Sequence, residues 1–364
     1  MHIRKVTMTF HHTPHPTPTT ADRLKEILAN PGFGTHFTDH TSVIDWTSEN
    51  GWDNARVEPY GPISLDPAAA VLHYAQEIFE GMKAYRHSDG GIYSFRPLEN
   101  ARRLNRSAVR MALPELPEEL FIESLEALVA TDQDWVPNGD GEALYLRPFM
   151  FASEAFLGVR PAKAVSYRVI ASPAGNYFGG ELKPVRIWVS RDYIRAAPGG
   201  TGAAKTGGNY AGSLAAQQQA TAKGCDQVLF LDPLRENAIE ELGGMNVFLV
   251  TADNRLITPA LTGTILEGIT RASVIQLAKD RGMEVEERQV TLEEWDAGIT
   301  DGSITEAFAC GTAAVITPIG ELLDGERSIA SAGTGETTLA LREELLGIQT
   351  GAVEDRHGWM HRLA

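Results

Sequence analysis

Read as a pattern of apolar and polar positions, the chain shows two periods in turn. Apolar residues every three or four positions predict helices at 20–29, 68–83, 97–111, 117–131, 213–223, 268–279 and 292–298. Local signals support these boundaries. Pro31 and Gly32 stop the first helix, Asp66-Pro67 opens the second, and Gly224 ends the fifth. In the second, Val71, Tyr74, Ala75 and Ile78 share one face. Alternating or continuous apolar runs predict strands at 91–96, 143–151, 165–171, 184–190, 227–232, 237–242, 245–251, 283–290 and 304–309. Tyr145 and Arg147 fall on the same face of their strand because side chains alternate. Gly243-Gly244 and Cys310 to Ala314 read as small-residue turns. Residues 1–20 carry His11, His12 and His15 among Thr and Pro. They read as a flexible, solvated arm with no fixed geometry for a metal.

Composition narrows the class. The chain has 364 residues, 43% hydrophobic and 22% charged, enough for two domains with ordinary cores. A formal charge of −16 argues against nucleic acid or an anionic membrane as the main partner. It still permits a local basic pocket for a small anion. Cys225 and Cys310 form no Cys-x-x-Cys motif, so no redox pair or cysteine zinc site is expected. No run approaches the ~20 apolar residues of a membrane span. The expected location is the cytoplasm.

The chemistry centres on 198–212, where Lys205 lies in a run of glycine and alanine. Small neighbours leave its amine uncovered. Such an amine can grip a phosphate or form an imine with an aldehyde. A flexible surface loop with an incidental lysine has the same composition. A P-loop is a near miss: Gly200 and Thr206 fit, but Ala204 replaces the second glycine. Residues 195–198 also intervene between the expected strand and the loop. Other candidates are the arginines Arg102, Arg103 and Arg106, the adjacent Glu240 and Glu241, and the helix start after Gly268, whose N–H groups can hold a phosphate.

Six blocks occur together: Phe79-Glu80-Gly81-Met82-Lys83, Tyr145-Leu146-Arg147-Pro148, Gly202 to Tyr210, Glu241 to Asn246, Gly268-Ile269-Thr270-Arg271 and Cys310-Gly311-Thr312-Ala313. In this order they resemble the branched-chain amino acid aminotransferases of class IV, which use pyridoxal 5'-phosphate. The resemblance runs from about Gly32 to Met360. It implies an α/β (α+β), two-domain fold of type IV. A smaller N-terminal α/β domain would span 1–174 and an inter-domain loop 175–184. A larger C-terminal pseudo-barrel domain over 185–364 would bind the cofactor.

The resemblance also assigns roles. Lys205 would form the aldimine with pyridoxal phosphate and act as catalytic base. Glu241 would face the pyridine nitrogen, and Tyr210 would hydrogen-bond the ring hydroxyl oxygen. Arg103, Ile269, Thr270 and Thr312 would hold the phosphate, leaving Arg102 and Arg106 to salt bridges or solvent. Tyr74, Phe79, Tyr145 and Tyr177 would wall the substrate side chain, with Arg147 beside them for the second carboxylate of 2-oxoglutarate. Gly244 and Ala313 would seat the α-carboxylate. Leu157 and Val159 would cross the interface of a homodimer. The implied reaction transfers the amino group of Leu, Ile or Val to 2-oxoglutarate, with small molecules as the other partners. A D-amino acid aminotransferase or aminodeoxychorismate lyase of the same fold stays open as an alternative, and a P-loop nucleotide-binding protein stands further off. Two departures stand out. Glu267 precedes Gly268 where proline is common, and it would repel a phosphate unless it points away. Ala314 and Thr317 stand where mammalian members carry Cys-x-x-Cys.

Overall fold

The computed structural model describes residues 8–139, 141–175, 182–331 and 335–364. The architecture is mixed α/β, and the chain divides into two compact units. The first comprises Met1–Gly179, Ala204–Gly207 and Ile348–Ala364; the second comprises Gly180–Ala203 and Gly208–Gly347. The expected connection at 175–184 lies mostly outside the described residues.

The first unit is built on one sheet. Its strands are β1 (His11–His12), β2 (His40–Thr47), β3 (Gly51–Pro59), β4 (Glu77–Phe79), β5 (Met82–Arg86), β6 (Ile92–Phe95), β7 (Ala143–Ala152) and β8 (Ala164–Ala174). Their order is β1-β3-β2-β8-β7-β5-β6, closed by the strand Met360–Arg362, with β4 on β7. The long pair β7–β8 runs from Ala143 opposite Ala174 to Ala152 opposite Val165. Leu144, Leu146 and Met150 of β7 enter a core with Leu104, Leu120, Phe121 and Leu125, contributed by helices α3 (Pro97–Arg110) and α4 (Glu118–Thr131). Alternation leaves Tyr145 and Arg147 half-buried on the opposite face.

Two expectations are corrected in this unit. The helix expected at 68–83 is the single turn α2 (Ala70–Tyr74), which follows α1 (Ala21–Ala29) in the chain. Ala75 takes a left-handed φ of 48° and ends α2. Glu77–Phe79 then pairs with Phe149–Phe151, so a buried partner strand overrides the helical spacing. From Met8 onward the N-terminal arm is largely exposed, as expected, but it is tied down at several points rather than free. His11 and His12 pair in parallel with Arg56 and Val57, the His15 N–H donates to His40 Nε2, and the Thr19 hydroxyl donates to Asp39.

The second unit holds β9 (Val185–Val189), β10 (Gln227–Leu231), β11 (Ile239–Leu242), β12 (Asn246–Thr251), β13 (Arg255–Thr258), β14 (Glu284–Glu287), β15 (Ile304–Gly311), β16 (Val315–Asp324) and β17 (Arg327–Ala330). The order is β11-β10-β9-β16-β15-β12-β13-β14, with β17 on β16. Helix α5 (Gly207–Ala222) begins well before the expected 213, despite its glycines. It packs Ala216 and Ala220 on Cys225, Val228 and Phe230. Helices α6 (Ile269–Asp280), α7 (Leu292–Asp301) and α8 (Glu336–Thr350) follow.

Candidate active site

In the first unit, Lys205 is fixed at the main chain on both sides. Its N–H donates to Ser107 Oγ (2.9 Å), and its carbonyl accepts the Phe79 N–H (2.9 Å). Its side chain is half-buried, with Nζ 4.9 Å from the centre of the Phe79 ring. That ring also carries Arg147, whose guanidinium lies 4.8 Å from its centre and 5.3 Å from that of Tyr145. Arg147 Nη2 donates to the Tyr145 hydroxyl (3.1 Å). Phe79, Tyr145, Arg147 and Lys205 therefore form one cluster. Gly81 is required beside it, because a Cβ there would fall 2.0 Å from the Tyr145 hydroxyl oxygen.

Arg103 is 4% exposed. Its Nε and Nη2 donate to the two oxygens of Glu80 (2.8 and 2.7 Å), a fork that fits a carboxylate. Glu80 is fully buried and also accepts from Asn100 Nδ2 (2.8 Å). Burial alone would raise its pKa. The charge and hydrogen bonds of Arg103, the charge of Lys205 and the Asn100 bond together hold it below the usual carboxylate range. As expected, Arg102 and Arg106 are exposed, and Arg102 pairs with Glu99 and Glu118. Elsewhere in this unit the Tyr74 hydroxyl donates to the Leu157 carbonyl. Leu157 is 63% and Val159 86% exposed. Tyr177 lies outside the described residues.

The second unit assembles around Glu241 at the end of β11. Glu240 and Glu241 are both 2% exposed, where one solvated carboxylate is the commoner arrangement. They are bound differently. Glu240 accepts from the Thr264 hydroxyl, and burial raises its pKa against that bond and the Arg195 charge. Glu241 Oε1 meets Arg195 Nη2 at 2.5 Å and accepts the Leu266 N–H (3.0 Å). Arg195 also donates to the carbonyls of Gly202 (2.9 Å) and Thr264. A Cβ on Gly202 would fall 2.2 Å from the Thr264 carbonyl oxygen, so this glycine lets two chain segments touch.

Two turns of this unit carry further candidate residues. Helix α6 begins after Gly268, which has no side chain to cap it, and a Cβ there would strike Asn246 Oδ1 at 2.0 Å. Ile269 and Thr270 thus stand in an uncapped first turn, the natural position for an anion. Glu267 is exposed. The turn carrying Thr312 and Ala313 joins β15 to β16 and packs Gly311 near Met245 and the Gly244 carbonyl. Gly244 in turn lies near the Tyr210 ring. Val315 closes the turn at φ 60°, a strained value for a β-branched residue costing about 1–3 kcal/mol. Such strain is often stored beside sites. Burial pushes the Cys310 thiol up to about 12, so it is no nucleophile.

Sequence reasoning did not single out Glu77, Glu80, Ser107 or Arg195. Glu80 stood in a recognised block and Arg195 was the nearest basic residue before Lys205. Their importance depends on chain crossings that spacing does not encode.

The family model described as amino-transferase class IV matches residues 77–322. The branched-chain-amino-acid aminotransferase of Mycolicibacterium smegmatis is 58% identical over 352 residues, 95% of this chain and 96% of that protein. The probable branched-chain-amino-acid aminotransferase of Streptomyces coelicolor is 55% identical over 361 residues, 98% and 99% of the two chains. Among solved structures, the Escherichia coli branched-chain amino acid aminotransferase superposes with a TM-score of 0.73 at 29% identity, covering 88% of this chain and 99% of that one. The branched-chain amino acid aminotransferase from Thermobaculum terrenum, in its PLP-form, gives 0.71 at 27% identity, covering 88% and 98%. On the match to the family model and on identity across nearly its whole length, the chain belongs to the branched-chain amino acid aminotransferases of class IV.

Proposed function

We propose that this aminotransferase moves the amino group of L-leucine, L-isoleucine or L-valine to 2-oxoglutarate, giving the 2-oxo acid and L-glutamate with pyridoxal 5'-phosphate as cofactor. The observation that carries this reading is the setting of Lys205: a main chain pinned on both sides and an amine over the Phe79 ring, which also carries the Arg147 guanidinium. The donor set suits the cofactor. The uncapped start of α6 and the buried guanidinium of Arg103 each have chemistry that suits a phosphate dianion, and the buried Glu241 suits a ring N–H.

When bound, pyridoxal phosphate supplies an electron sink for the carbanion left at the substrate Cα. Lys205 is the catalytic residue: its Nζ would hold the cofactor and would move a proton between the substrate Cα and the cofactor C4′. Glu241 keeps the pyridine nitrogen protonated, with Arg195 holding that carboxylate in place. Tyr210 donates to the ring hydroxyl oxygen. Arg103, Ile269, Thr270 and Thr312 bind the phosphate. Phe79, Tyr145, Tyr74 and Tyr177 enclose the aliphatic side chain, and Arg147 pairs with the distal carboxylate of 2-oxoglutarate. Gly244 and Ala313 present backbone groups to the α-carboxylate. Leu157 and Val159 serve a homodimer, a reading supported by their exposure. The protein works in the cytoplasm on small molecules and takes neither nucleic acid nor membrane as a partner. Among the described residues no helix is long and apolar enough to cross a membrane.

The test is glutamate formation from 2-oxoglutarate with each amino acid. Leucine, isoleucine and valine should all support it, and D-alanine should not. Turnover of D-alanine with none from the three would overturn the substrate assignment.

A further inference from the structure

We infer that Glu77 is a positioning residue for Lys205, acting through the two residues that follow the lysine. Hydrogen bonds on both sides of the lysine hold its segment within the first unit. Ser107 and Phe79 bind the N–H and carbonyl of Lys205 itself. Glu77 supplies two more: its Oε1 accepts the Thr206 hydroxyl (3.3 Å) and the Gly207 N–H. Without these, only the Phe79 bond holds the carbonyl side of Lys205; the chain from Thr206 onward can then turn and strain that bond, and its opening releases the lysine Cα and the amine it carries. There is little slack, since a Cβ on Gly207 would lie 2.5 Å from Glu77 Oε1.

The glutamate is itself well placed. It starts β4, where its Cα is paired opposite Phe151, so the sheet fixes its base. Burial raises its pKa, while the Gly207 N–H, the Thr206 hydroxyl and the Arg147 charge oppose that rise. Both donors converge on one oxygen. The requirement is therefore an acceptor at that point, which a glutamine amide oxygen also provides and an apolar side chain does not. The inference rests on Lys205 being the residue that holds the cofactor, but the tether is a property of the chain alone.

The experiment compares wild type, Glu77→Gln and Glu77→Leu, first without cofactor. Hydrogen exchange at the Gly207 amide reads the tether. Mass spectrometry after borohydride then reads how fast added pyridoxal phosphate becomes fixed to Lys205. Glu77→Gln should stay within about two-fold of wild type in both. Glu77→Leu should exchange roughly ten-fold faster and take up cofactor roughly ten-fold more slowly, the scale of one lost hydrogen bond. If Glu77→Leu does not fold, Glu77→Ser, too short to reach, replaces it with the same expectation. Wild-type exchange, unchanged uptake, or a Gln variant as impaired as Leu would each overturn the inference. A wild-type protein that fixes no cofactor on Lys205 would strike down the reading of the site instead, and exchange alone would then decide the tether.

Discussion

Each unit buries a glutamate–arginine pair, and the two pairs are built in opposite senses. In the first unit the carboxylate is the anchor. Both oxygens of Glu80 are engaged by Arg103, and Asn100 adds a third bond. In the second unit the arginine is the anchor. Arg195 is tied to the carbonyls of Gly202 and Thr264 and delivers its charge to one oxygen of Glu241. Under the proposed roles, the first arrangement would present a guanidinium to a phosphate and the second a carboxylate to a ring nitrogen. A buried ion pair is weak evidence for stability by itself. Under the proposed roles, the partner held in place by the other is the one that would carry the function.

The largest expected effect comes from breaking the first pair. Glu80→Ala leaves Arg103 buried without its counter-charge and should cost about 3–5 kcal/mol in urea unfolding. Adding Arg103→Met should recover part of that loss, because the two sites share one interaction. Simple additivity of the two changes would contradict the anchoring described.

The second test contrasts neighbours. Glu241→Gln should lower kcat by roughly 100- to 1,000-fold, the scale of one lost charge-stabilising group. Glu240→Gln, whose partner is the Thr264 hydroxyl, should change kcat by less than about three-fold. The reverse order would show that β11 presents the other carboxylate to the cofactor.

The smallest effect is a pH dependence of opposite sign at two buried acids. Glu80 is held below its ordinary pKa, so its contribution is present above the unfolded value of about 4.3 and fades as pH falls through the folded value. Glu240 is raised, so its contribution is full below about 4.3 and fades as pH rises through the folded value. Unfolding free energies from urea titrations at pH 4 to 8 should therefore rise above wild type at the neutral end in Glu240→Gln, by less than about 1 kcal/mol. A variant less stable than wild type at pH 7 and unchanged at pH 4 would reverse the sign.

Much of this was legible in the sequence. Helices with clear start or stop signals, such as Ala21–Ala29 and Pro97–Arg110, stand close to where spacing predicts them. Elements set by distant partners were not. Glu77–Phe79 looks helical until β7 is beside it, whereas the hairpin of His40–Thr47 and Gly51–Pro59 carries a local signal, Asn50-Gly51 with Gly51 at φ 73°, that the expected elements left out. The same holds for the site. Lys205 is visible because glycine surrounds it. Glu77, Ser107 and Arg195 matter only because segments far apart in sequence meet there.

The most direct test is the visible spectrum of the purified protein with pyridoxal phosphate, read before and after leucine and again after 2-oxoglutarate. The account predicts a yellow band that falls with leucine and returns with 2-oxoglutarate, and a Lys205→Ala variant that folds but does not sustain turnover. A protein that stays colourless after incubation with pyridoxal phosphate, or a Lys205→Ala variant with normal turnover, would contradict it.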